Sequence, residues 1–153
     1  MQLTQKESSL VKDLKSQEQL CIDKYTKYAD TAKDGQLKNL FTTIANTERE
    51  HLSTLTQIEN GNVPQMSSGG NTTPPTFTAT YNSVSTPEKS ADEYLCKDTL
   101  TMEKHVSSVY NTSIFEFCNK DLRDILNHIQ KEEQEHGKQL FDYMSANSMY
   151  QAQ

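Results

Sequence analysis

Tryptophan is absent from this chain of 153 residues, and hydrophobic residues make up only 33% of it. A core built from so little apolar matter has to be narrow and repetitive, as when amphipathic helices each contribute one stripe; this favours a helical bundle over a β-sandwich. Basic runs are also missing. With a net charge of −6 and a pI near 5.2, the chain lacks the Lys and Arg clusters that a nucleic-acid partner requires. No stretch is apolar for the length of a bilayer span, and the opening residues MQLTQKESSLVKDL are polar and periodic. The expectation is a protein made without an export signal and without a membrane partner. Cysteine is sparse: Cys21, Cys96 and Cys118 form an odd set with no C-x-x-C spacing, which offers neither a disulfide framework nor a thiolate metal knuckle, and reduced thiols are expected.

What the sequence does have is helical periodicity in four long segments, near 4–31, 35–59, 87–117 and 120–146, within one domain spanning 1–153. Thr4-Gln-Lys-Glu7 has the capping-box pattern, and Thr86-Pro87-Glu88 offers a cap, a proline for the first helical position and an acid for the first turn. Asp34-Gly35 and Asn119-Lys120 break the pattern only briefly, so the segments pair as two antiparallel hairpins, 4–59 and 87–146, followed by a short tail. Between the hairpins, 60–86 is rich in Gly, Pro, Ser, Thr and Asn and nearly uncharged. Roughly 25 extended residues reach about 80 Å, twice the about 38 Å of a 25-residue helix. Such a segment can serve as the full-length crossover of an up, down, down, up bundle.

The second half repeats the first at an offset of 85. Leu10, Lys12, Asp13, Glu18, Tyr25, Leu37, Ile44, Glu48, Glu50, His51 and Leu55 recur as Leu95, Lys97, Asp98, Glu103, Tyr110, Leu122, Ile129, Glu133, Glu135, His136 and Leu140. Two duplicated hairpins facing each other about a pseudo-twofold axis bury each other's stripes, and polar groups on those stripes meet their own counterparts.

Such groups exist. On the first stripe, Leu10, Leu14, Cys21, Tyr25 and Tyr28, Glu18 stands where a Leu belongs. On the second, Leu37, Phe41, Ile44 and Leu55, it is Glu48 and His51 that take core positions; Glu103, Glu133 and His136 repeat these intrusions. Unpaired carboxylates in a dry interior cost several kcal/mol each, so four together must take up protons, admit water or hold cations. Two divalent ions match four carboxylates in charge, and two imidazoles add neutral nitrogen ligands. Carboxylate and imidazole without thiolate suit iron or manganese better than calcium, with zinc left open. Tyr25 and Tyr110 lie seven residues beyond Glu18 and Glu103 on the same stripes, where they serve either as hydroxyl donors to the carboxylates of the opposite hairpin or as plain core tyrosines. His105 and His128 fall off the stripe and read as surface residues, and Cys21 as a small buried thiol.

One Glu from each of two helices and a Glu-x-x-His from each of the other two resembles the ligand set of the ferritin, bacterioferritin and rubrerythrin superfamily. That resemblance implies a ferritin-like bundle whose paired metals react with O2 or peroxide, including ferroxidase chemistry; it also implies Glu18 and Glu103 as terminal ligands, Glu48 and Glu133 as bridges, and His51 and His136 one to each metal. The fifth short helix of cage ferritins is missing, as is the extra Glu one turn past Glu103 common in rubrerythrins. A second resemblance rests on LVKDLKSQEQ, on the Leu122-Arg123 helix opening, and on Phe141 and Met144 before a tail ending Ser148-Met149-Tyr150, where a Gly-Trp-Tyr ending is usual. These runs are similar to the coat F family of spore coat proteins. The likeness implies a protein made in the mother-cell cytoplasm and laid onto the spore coat among other coat proteins, with a homodimer plausible by analogy. The rival expectation is a structural or interaction protein of the coat whose site is empty or purely stabilising.

Overall fold

The computed structural model describes residues 1–66 and 73–150; the middle of the crossover and the last three residues of the tail lie outside the described residues. Four helices make up the architecture, α1 (Gln5–Thr31), α2 (Gly35–Glu59), α3 (Pro87–Glu116) and α4 (Lys120–Ala146), and no strand occurs among the described residues. Each start has a side-chain cap for its free amides. In α1, Thr4 Oγ1 accepts from the Glu7 amide at 3.1 Å while Glu7 Oε2 accepts from the Thr4 amide at 2.8 Å, a complete capping box. Asp34, Thr86 and Asn119 cap α2, α3 and α4. The short breaks at 32–34 and 117–119 therefore terminate one helix and cap the next within three residues. At the far end of α2, Gly61 at φ 82° closes a Schellman turn, its amide bonding to Ile58 O and that of Asn62 to Gln57 O.

Bonds between helices fix their directions. Tyr25 reaches Glu103, Tyr110 reaches Glu18, and Lys24 reaches Asp98, so residue numbers rise on α1 as they fall on α3. His51 meets Glu133 while Glu48 meets His136, so α2 and α4 are antiparallel too. With antiparallel hairpins on either side, the order is up, down, down, up. The crossover leaves α2 at Asn60 and reappears at the opposite end of the bundle. There the Gln36 side chain bonds to Thr78, Asn147 Oδ1 accepts from the Thr80 and Tyr81 amides, and Phe77 packs edge-on against Tyr143 with ring centroids 5.5 Å apart.

The core runs the length of the bundle, with Leu14, Tyr25, Leu37, Phe41, Ile44, Leu55, Tyr110, Leu122, Leu126 and Leu140 fully buried. Two residues of the expected first stripe, Leu10 and Tyr28, are only half-buried. Leu10 is half-buried at the rim and Val11 takes the inner place, because the stripe on a 3.6-residue helix drifts relative to strict three- and four-residue steps.

The duplication extends to the hairpin turns. Asp92, near the start of α3, accepts from the Lys33 and Asp34 amides at 2.8 and 2.9 Å in the first hairpin's turn. Its counterpart Glu7, near the start of α1, accepts from the Cys118 amide at 3.0 Å in the second hairpin's turn. Each hairpin thus holds the other's turn through a buried carboxylate, which satisfies amides that no helix bond reaches.

Candidate metal centre

Midway along the bundle the four helices bring Glu18, Glu48, His51, Glu103, Glu133 and His136 into one layer, none more than 5% exposed. Apolar residues lie above and below it: Leu14 and Ile44 belong to the same stripes, as do Ile129 and Leu140. Burying a Leu at such a position would stabilise the fold by about 1.5–3 kcal/mol. A carboxylate there instead costs several kcal/mol unless something compensates its charge.

Two overlapping donor sets result. Glu18, Glu48, His51 and Glu133 each offer an atom within 4.8 Å of the others, and so do Glu48, Glu103, Glu133 and His136. Glu48 and Glu133 are common to both. His51 Nδ1 lies 3.1 Å from Glu48, 2.9 Å from Glu133 and 3.6 Å from Glu18. His136 Nδ1 lies 3.2 Å from Glu48, 3.5 Å from Glu103 and 3.7 Å from Glu133. The imidazoles are stacked with centroids 6.1 Å apart, which keeps them one to each set.

The fit to cations can be tested on these atoms. Two donors each about 2.1 Å from a common ion are at most about 4.2 Å apart, and the imidazole-to-carboxylate distances of 2.9–3.7 Å fall inside that limit. Several of the oxygens also lack hydrogen bonds: Glu18 Oε2, Glu48 Oε1, Glu103 Oε2 and both oxygens of Glu133 are buried without a partner, as is His136 Nδ1. Glu133 Oε1 is near His51 Nδ1 and Glu48 Oε1 near His136 Nδ1, yet neither contact has hydrogen-bonding geometry. Lone pairs that converge without bonding each other suit small hard ions of the iron, manganese or zinc class.

Electrostatics show how protons bear on the charge of the cluster. Burial drives the Glu18 carboxyl well above its usual range, and burial together with Glu133 pushes Glu103 up to about 8. For Glu48 burial acts upward, but the His136 and His51 imidazoles beside it outweigh that and bring the group down to about 2. Glu133 is lowered too, burial being offset by the nearby Glu103 carboxyl and the His136 and His51 imidazoles. Burial opposes the charge on both imidazoles, yet the surrounding carboxylates raise His51 and His136 well above the usual histidine range. The outer carboxyls are thus biased toward the neutral acid and the imidazoles toward the cation, so protons can offset part of the cluster's charge.

Two phenols hold the outer carboxyls. Tyr25 donates to Glu103 Oε1 at 2.5 Å and Tyr110 donates to Glu18 Oε1, each across the α1/α3 interface. Burial keeps both hydroxyls protonated. His51 Nε2 lies 3.4 Å from Glu132, which also pairs with His128 at 2.5 Å. Glu132 departs from the repeat, its counterpart being Thr47, so the duplication pattern gives no hint of it. His105 is exposed and His128 half-buried, while Cys21 and Cys96 are buried free thiols and Cys118 an exposed one.

Residues 91–153 match the family model of the Coat F domain. The matched segment takes in most of α3, all of α4 and the tail, with Glu103, Glu133 and His136, and leaves the first hairpin outside. No curated protein and no solved structure matches the chain. No helix among the described residues is long and apolar enough to cross a membrane.

Proposed function

We propose that this protein is a ferritin-like carrier of a two-metal carboxylate centre, iron or manganese before zinc, that works in the spore coat. The observation that carries the metal reading is the set of buried, unbonded oxygens on Glu18, Glu48, Glu103 and Glu133 converging between His51 and His136. Glu48 and Glu133, common to both donor sets, would be shared by the two ions, while Glu18 with His51 and Glu103 with His136 would each serve one of them. The Coat F match over the second hairpin supports association with spore coat layers and their proteins. A homodimer is part of the same reading by analogy with ferritin-like proteins.

A pair of iron or manganese ions supplies one-electron chemistry toward O2 or peroxide, including oxidation of Fe(II) as substrate. The protein's own residues supply the rest. Tyr25 and Tyr110 orient Glu103 and Glu18, so the outer carboxylates keep one oxygen free to coordinate. Glu132 orients His51 through its distal nitrogen. The apolar layers around Leu14, Ile44, Ile129 and Leu140 limit water and strengthen every charge interaction inside.

A second reading has its own support. The raised carboxyls and imidazoles let protons offset part of the buried charge, so a coat scaffold whose site is empty or merely stabilising is physically coherent. Elemental analysis after chelator-free purification, repeated after anaerobic loading with Fe(II) and with Mn(II), separates the two. The proposal expects about two ions per chain and, for iron, an absorption band and oxygen consumption on exposure to air. A large metal-dependent rise in Tm with no turnover favours the stabilising role, and no metal above background under any loading overturns the centre. Labelling of intact spores with antibody to the chain tests the coat assignment; signal confined to the mother cell would remove it.

A further inference from the structure

Beyond Glu132, the duplicated hairpins also differ in the groove that each leaves beside the centre. Between α3 and α4 a cleft of about 380 Å³ opens to solvent and is lined by Glu103 and Glu133 together with Ser107 and Gly137. The groove between α1 and α2 is lined by Lys12, Lys15, Ser16, Gln19, Leu52, Thr56 and Glu59, with none of the six candidate ligands among its described residues. The repeat explains the difference. Gly137 stands where the first hairpin has Leu52, and Ser107 where it has Ile22, which is buried. A Cβ added at Gly137 would meet only Leu100 Cδ1, at 3.6 Å, so space for a side chain exists and is left unfilled.

A glycine inside a helix is unfavourable relative to other residues unless something is gained. At Gly137 its backbone is regular, without the positive φ that would call for glycine. Gly61, by contrast, is explained by its turn. What Gly137 leaves is a cleft that leads in from solvent and ends beside Glu103 and Glu133, whose carboxylate oxygens stay buried at its floor.

We infer that the α3/α4 cleft is the single-sided entrance to the centre, through which hydrated divalent cations, and small oxidants after them, reach Glu103 and Glu133, and that Gly137 and Ser107 keep it open. The inference rests on the two-metal reading and deepens it. Exposed Lys104 also lines the cleft, so cations enter past a like charge.

The test is stopped-flow uptake of Co(II) and of Mn(II) by the metal-free full-length chain, with the number bound at equilibrium measured in parallel. Gly137→Leu and, separately, Ser107→Ile restore the residues of the closed hairpin. Each is expected to bind as many ions as the wild type but to load them roughly tenfold more slowly. Leu52→Gly, which opens the other hairpin, should load as fast as the wild type or faster. Lys104→Gln should accelerate cation uptake, most at low ionic strength. Unchanged loading rates in both closing variants, with normal stoichiometry, would overturn the entrance while leaving the metal centre intact. A wild-type chain that binds neither ion overturns the two-metal reading and this inference with it. Should Gly137→Leu fail to fold, Ser107→Ile and Lys104→Gln still decide the matter.

Discussion

Tyr25 on α1 donates its phenolic hydrogen to Glu103 on α3 across 2.5 Å of buried interface. Its repeat counterpart, Tyr110, returns the same bond to Glu18, so the two hairpins exchange identical contacts about the pseudo-twofold axis. Each bond satisfies a carboxyl oxygen that has no access to water.

Removing either hydroxyl therefore leaves a polar atom stranded. Tyr25→Phe and Tyr110→Phe should each cost about 1–3 kcal/mol, the usual penalty for an unsatisfied buried group. For a domain of this size that lowers Tm by about 2–4 °C per kcal/mol. Because both bonds feed one cluster, the double variant should depart from additivity, which a double-mutant cycle of thermal melts on metal-free protein would detect. Strict additivity would mean that the two phenols act on independent sites.

The donor sets predict an asymmetry between variants. Glu18 and Glu103 each belong to one set, whereas Glu48 and Glu133 belong to both. Calorimetric titration with Mn(II) should find about one ion retained in Glu18→Ala or Glu103→Ala and none held stoichiometrically once Glu48 and Glu133 are both Ala. Two ions still bound by the Glu48→Ala/Glu133→Ala chain would sink the ligand assignment.

Much of this arrangement was legible in the sequence, for a physical reason. A Glu on an apolar stripe is an anomaly against a clear background: Glu18 stands between Leu14 and Cys21, Glu48 follows Ile44, Glu133 follows Ile129, and Glu103 lies between Thr99 and Val106. Helix ends were legible because Thr4, Asp34, Thr86 and Asn119 are all capping types. Glu132 was not, since it neighbours Glu133 in sequence, departs from the repeat, and acquires its contact with His51 only once α2 and α4 pack. Glu7 and Asp92 are an intermediate case. The acid recurs at the same offset of 85, but residues of different length obscure the match, and nothing in the sequence shows that each reaches the opposite turn.

The proton balance predicts opposite pH trends with and without metal. Glu18 and Glu103 are raised above their usual 4.5, and His51 and His136 above 6.5. A group raised on folding contributes stability that is complete below its unfolded value and lost as pH climbs through the folded one. The metal-free chain should therefore lose Tm as the pH climbs above the ordinary carboxyl value of 4.5, with Glu103 contributing its loss near 8. Glu48, lowered to about 2, adds stability present above 4.5 and lost only as the pH falls toward that value. Cations displace the raised protons, so Mn(II) affinity should increase across the same window, and about four protons should be released when two ions bind at pH 7. Melting curves in chelator and in Mn(II), with an indicator dye following the protons, test this. Release of at most one proton would contradict the assigned charge state.

Asp92 carries the most bonds in the turn-holding pair, and its loss should be felt through the whole bundle. Its carboxylate accepts from two amides of the first hairpin's turn and from the Tyr81 hydroxyl at 2.7 Å, which ties the returning crossover to the same point. Asp34 accepts from Tyr143 beside it at 2.6 Å, so α4 is held there as well. Asp92→Ala removes the partner of two amides and a hydroxyl, of which the Asp34 amide is buried and the others part-buried, and a cost on the order of 3 kcal/mol follows from charge-assisted bonds of about 1.5–3 kcal/mol. Glu7→Ala should cost less, about 2 kcal/mol, because one of its two amide bonds is a local helix cap beside solvent. Urea midpoints should fall in that order with unchanged slopes, since neither change alters the surface exposed on unfolding. Amide exchange supplies the signature of the cross-hairpin link. Asp92→Ala should accelerate exchange at Lys33 and Asp34 in the opposite hairpin, and Glu7→Ala at Cys118; acceleration confined to each residue's own helix would show that the turns are held by something else.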